Sequence, residues 1–185
     1  VTTWSKGAVA VAILIAGVLV RAWQEHRQPQ PPEALGEGLY RVERVVDGAT
    51  LRLTNQATIR LLGIDASTTV PRHGRLAPRG PAADAFTRRF VTGAGGQVRL
   101  RLDRERLDRQ GRFLAYVFAG DRMLNEELLL AGLARVEREC RLSASIKSRF
   151  LKVQAQARQA RRGLWSAASA ADDEGLPSPD DGWPR

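Results

Sequence analysis

The 185-residue chain is long enough for one domain with a real core plus tails, and 29 Lys+Arg against 20 Asp+Glu give it a formal net charge of +9. Between Gly38 and Trp165 the excess steepens to 25 basic against 12 acidic residues. That balance favours polyanionic partners, nucleic acid or an anionic membrane surface, although the dominance of Arg over Lys lets codon bias supply part of it. Cys140 is the only cysteine, which excludes an internal disulfide and a cysteine-based zinc site.

Lys6 and Arg21 bracket the apolar run GAVAVAILIAGVLV (7–20), with Trp4 and Trp23 just outside it. The run is short against the roughly 20 residues of a spanning helix. Interfacial tryptophans and snorkelling cations would extend its reach. Residues 1–23 are therefore read as a hydrophobic helix acting as an uncleaved membrane anchor. A signal-peptide core is the alternative, and Val20-Arg21-Ala22 would be a poor cleavage site for it. Either way the domain is expected at or across a membrane, on the extracytoplasmic side, or secreted if the segment is cleaved. A Pro-rich linker follows at 24–37.

Past the linker the period changes. Leu51 and Leu53, then Ile59 and Leu61, alternate about a polar turn at Thr54–Ala57, which predicts a hairpin. Asp47-Gly48 reads as a turn in which Gly supplies a positive φ. Residues 71–81, PRHGRLAPRGP, read as an Arg/Pro/Gly-rich loop, and Pro81 suits the first position of a helix with Phe86 and Phe90 on one face. Val98, Leu100 and Leu102 alternate as a strand, and FLAYVFA (113–119) is a second one. Ile146, Phe150, Val153, Ala157 and Ala160 keep helical spacing, with Gly163 as the expected C-terminal cap. The acidic, Pro/Gly-bearing tail 166–185 reads as disordered. Three strands, a helix, two strands and two helices predict an α+β domain over 38–165, a small barrel packed by helices.

Six segments in order, VVDGATLRL (45–53), IRLLGIDA (59–66), GPAADAFTRRF (80–90), DRQGRFLAYVF (108–118), MLNEELLLAGLARV (123–136) and QARQARRGLW (156–165), resemble the staphylococcal nuclease (thermonuclease) family along the whole domain. The resemblance implies an OB-fold, a five-stranded β-barrel with three packed helices. For active members it also implies calcium-dependent cleavage of DNA or RNA. Such a site needs carboxylates to hold a hard cation, a base to take a proton from water, and arginines to brace phosphate oxygens. On the matching positions, Arg60 and Arg112 are the two phosphate arginines and Asp65 is one metal aspartate. The other metal aspartate is replaced by Ala49, and the glutamate base by Thr68. The tyrosine of the strand-entry motif is Gln110, and two nucleotide-flanking tyrosines are Arg138 and Cys140.

Loss of the base alone costs on the order of 10²–10⁴-fold in rate, and a lone carboxylate holds calcium weakly. Asp47 is the remaining candidate second metal ligand, and His73 a weak candidate base. Arg60, Arg109, Arg112 and Arg138 are the expected nucleic-acid contacts, with the basic runs 102–112 and 156–162 as further ones. For the second run a solvated helix face is the stronger reading. Arg60 and Asp65 forming a plain ion pair is the structural alternative for those two. The sequence thus predicts a membrane-tethered domain that binds nucleic acid or phosphate-rich ligands with little or no hydrolysis. An active nuclease and a non-catalytic membrane scaffold are the alternatives.

Overall fold

The computed structural model describes residues 15–17, 21, 32–66, 69–72, 75–78, 80–137 and 139–166. Nearly all of the expected anchor, most of the linker and the acidic tail lie outside the described residues, as do Ser67, Thr68, His73 and Arg138. Among the described residues no helix is long and apolar enough to cross a membrane. The chain divides after Pro31, and everything below belongs to the second unit.

Five strands close a barrel: β1 (Gly38–Asp47), β2 (Thr50–Leu53), β3 (Thr58–Leu61), β7 (Gln97–Arg101) and β8 (Phe113–Ala119), in the order β3-β2-β1-β7-β8. Neighbours along that order are antiparallel, and the closing pair β3–β8 is parallel. A short β9 (Arg122–Met123) extends β8. Three helices pack around it, α1 (Gly80–Gly93), α2 (Leu124–Leu130) and α3 (Ala144–Gln159). This is the OB-fold α+β architecture that the resemblance implies. The predicted hairpin is present as Thr50↔Arg60 and Leu51↔Ile59. Three short ladder strands escaped the periodicity, because two residues cannot display a period. They are β9 itself, and β4 (Ile64–Asp65) paired with β10 (Arg135–Val136).

Burial explains the patterns. β7 alternates, with Val98 and Leu100 fully buried and Gln97, Arg99 and Arg101 outside. β8 is buried at every residue but its last, because helices cover the face that other strands show to water. Tyr116 meets Phe150 of α3 edge-on, with centroids 6.1 Å apart.

Asn125, in the first turn of α2 and fully buried, holds the seam where β3 runs out beside β8. Its Oδ1 accepts from the Val117 N–H (3.0 Å), and its Nδ2 donates to the Leu62 (3.0 Å) and Ala115 (3.4 Å) carbonyls. One side chain therefore ties a helix to both strands of the parallel pair.

Three expectations are corrected. Gly48 is not among the glycines with positive φ. It is required by close approach, since a Cβ there would lie 2.5 Å from the Ala83 Cβ of α1, and its carbonyl accepts from the buried Thr87 hydroxyl (2.8 Å). Gly163 is not the helix cap. Arg161 takes the left-handed conformation (φ 50°), with Arg162 N–H bonding to Ala157 O and Arg161 N–H to Arg158 O, a Schellman arrangement. Gly163 instead opens a 3₁₀ turn (Gly163–Trp165), and a Cβ there would lie 2.4 Å from the Gly132 carbonyl oxygen. The segment read as a loop contains a hairpin, β5 (Thr69–Arg72) with β6 (Arg75–Pro78). Its prolines are tolerated because, among the described residues, each strand has a single partner.

Replacing Asn125 by Ala should destabilise the fold by about 2–4 kcal/mol, because buried backbone groups of both strands lose their partner. Chemical denaturation would measure this, and a change under about 0.5 kcal/mol, the scale of neutral surface substitutions, would contradict the seam's importance.

Candidate functional site

Strand register brings the two matched arginines together. In the parallel pair Arg60 lies opposite Leu114, and Arg112 precedes Leu114 by two residues, so the alternation directs both to the same side. They line one cleft of about 440 Å³ together with Asp65 and Arg109. Gln110, Leu114 and Cys140 complete its neutral wall. Four further carboxylates that sequence reasoning did not place there also line it: Glu105, Asp108, Glu137 and Glu139.

Arg112 is held from its own turn. Asp108 Oδ1 accepts from the backbone N–H groups of Gln110 (2.8 Å) and Arg112 (2.9 Å), and Oδ2 accepts from Arg112 Nε (2.6 Å). Gly111 (φ 72°) supplies the left-handed step that folds this turn back on itself. Burial works against the charged carboxyl of Asp108. The hydrogen bonds from Arg112 and Gln110 outweigh it and hold the group below its ordinary 3.8. Arg60 meets Glu137 instead, Nη2 to Oε2 at 3.7 Å. Glu137 is carried there because β10 pairs with β4, Arg135 opposite Asp65, and the Glu137 N–H continues the ladder to Gly63 O (3.0 Å).

Ala49 and Asp47 bear on the metal. Ala49 is 2% exposed and belongs to the hydrophobic core, so its methyl group stands where the resemblance puts a carboxylate. Asp47 Oδ1 accepts from the Ala49 N–H (2.8 Å), closing the β1–β2 turn, and Asp47 does not line the cleft. Calcium takes six to eight oxygen ligands. Among the described residues no group of three or more His, Cys, Asp or Glu is placed to hold a metal ion. The described side chains therefore do not by themselves gather the acids of a calcium site.

Two other groups are settled by their surroundings. Burial, then the Glu137 and Glu105 charges, push the Cys140 thiol up to about 11, which disfavours the thiolate at neutral pH. The 156–162 run is used in packing. Arg158 stacks over Trp165 with its Cζ 4.3 Å from the ring centroid, and Arg162 donates to the Leu130 carbonyl (3.2 Å).

Asp108 generates a prediction on acid stability. Its folded pKa is depressed, so its contribution is present above the ordinary carboxylate value and is lost as pH falls through the lower folded value. Asp108→Asn should therefore be less stable than the parent at neutral pH, with the gap closing below about pH 4. Thermal melts between pH 7 and 3 would show it, and a gap constant with pH would contradict it.

The family described as "Staphylococcal nuclease homologue" matches residues 58–167. A thermonuclease of Staphylococcus hyicus is 33% identical over 169 residues, covering 87% of this chain and 98% of its own length. A thermonuclease of Staphylococcus intermedius is 38% identical over 140 residues, with 71% and 82% covered. The SPbeta prophage-derived endonuclease YokF of Bacillus subtilis (strain 168) is 31% identical over 139 residues, covering 73% of this chain and 46% of YokF. A barrel closed in this register, carrying this pair of arginines and matched over most of its length, belongs to the staphylococcal nuclease family.

Proposed function

We propose that the domain binds nucleic acid, or another phosphate-rich ligand, through Arg60 and Arg112 with Arg109 beside them, and hydrolyses it little or not at all. The observation that carries this reading is Ala49. A buried methyl group stands at the position where the family resemblance implies a metal-holding acid. The arginines remain suited to an oxyanion. Arg112 is fixed by Asp108 through Nε, and that contact uses neither terminal nitrogen of the guanidinium. The cleft wall offers few aromatic surfaces, so recognition rests on the sugar–phosphate backbone and should weaken steeply with salt.

A second reading, a working metal-dependent nuclease using Asp65 and Asp47 on the ion, is favoured by the 33–38% identity to proteins named thermonuclease. It still lacks an assigned base, since Thr68 cannot accept a proton at neutral pH.

Binding of labelled single- and double-stranded DNA and RNA to the full chain tests the first reading. Arg60→Ala and Arg112→Ala should each weaken retention by roughly tenfold, the scale of one charge-assisted contact. Retention that both variants leave unchanged would place any polyanion site elsewhere.

A further inference from the structure

The two cleft arginines are engaged by carboxylates in unlike ways. Asp108 grips Arg112 at Nε, is itself held by two backbone N–H groups, and is 17% exposed. It orients the guanidinium and leaves the terminal nitrogens out of the contact. Glu137 faces a terminal nitrogen of Arg60, Nη2, from 3.7 Å. Its backbone is fixed by the bond to Gly63 O, but its side chain is 39% exposed against 19% for Arg60. A long, half-exposed side chain at that distance is free to rotate away at little cost. An incoming phosphate oxygen needs that same edge of the guanidinium.

We propose that Glu137 is the resident counter-ion of Arg60, a stand-in for a ligand's phosphate oxygen that must be displaced when the ligand binds. This rests on the reading of the cleft as a phosphate site and adds a residue that sets its selectivity. A small monoanion exchanges one negative charge at Arg60 for another and gains little. A nucleic-acid strand that also engages Arg112 and Arg109 gains contacts that offset the displacement of Glu137. Glu137 thereby favours ligands that reach beyond Arg60 in the cleft.

The test uses the full chain, a fluorescent single-stranded oligonucleotide, anisotropy at fixed ionic strength, and a chelator throughout. Glu137→Gln keeps the side-chain shape and removes the competing charge. It should lower Kd by about two- to fivefold, the range of one partly exposed ion pair. That gain should vanish in an Arg60→Ala background. Glu139→Gln removes an equal charge from the same cleft and should shift Kd by less than about twofold, since screening blunts a charge not in contact. An unchanged or raised Kd in Glu137→Gln overturns the proposal. So does an equal gain from Glu139→Gln, or a gain that persists without Arg60. Wild-type binding indifferent to Arg60→Ala would sink the phosphate reading itself. Arg60-dependent binding that ignores Glu137 would sink only the counter-ion role.

Discussion

The parallel pairing of β3 with β8 closes the barrel, and the geometry of the cleft follows from its register. Arg60 sits on one strand of that pair and Arg112 at the entry to the other, with Arg60 opposite Leu114. A slip of one residue would turn one of the two guanidiniums to the other face. The seam has no hairpin to set its register, because its strands are far apart in sequence. Asn125 supplies the constraint from a helix, bonding to Val117 on one strand and to Leu62 just beyond the other. Packing of α2 and the position of the two cleft arginines are thus one mechanical problem. The Gly48–Ala83 contact seats α1 against the β1–β2 turn in the same way.

Charge gives the cleft its character. Three arginines share it with five carboxylates, so it is no simple basic patch despite the chain's overall excess. What matters is which carboxylate touches which nitrogen. Asp108 is built into the turn that delivers Arg112, and the hydrogen bonds within that turn hold its pKa below the ordinary carboxylate value. Glu137 makes a single long contact from a neighbouring ladder. The first interaction aims a guanidinium, and the second competes for one. Neither supplies the gathered oxygen ligands of a hard cation, and the Ala49 side chain is in the core.

Much of the barrel was legible because its strands and helices are long enough to show a period. The 51–61 hairpin, the strand at 97–101, FLAYVFA and the last helix all lie where alternation or helical spacing puts them. The pairing of Arg60, Asp65 and Arg112 in one cleft came from motif order, which carries register that composition cannot. Of the four extra carboxylates, Asp108 lay inside the motif that opens the last barrel strand, and the other three were not legible. Glu137 and Glu139 reach the cleft only through a two-residue ladder, and Glu105 through an irregular connection, so no local pattern announces them. Gly48 was misassigned because a turn glycine and a close-contact glycine look alike in sequence. Only the Ala83 methyl group distinguishes them.

On the proposed reading, the arginine cleft holds phosphate and lacks the acids to cleave it. The most direct measurement is incubation of the full chain with single-stranded DNA, double-stranded DNA and RNA, each with calcium and with a chelator. The account predicts intact nucleic acid under both conditions. Metal-dependent release of shorter products, abolished by Asp65→Ala, would contradict it.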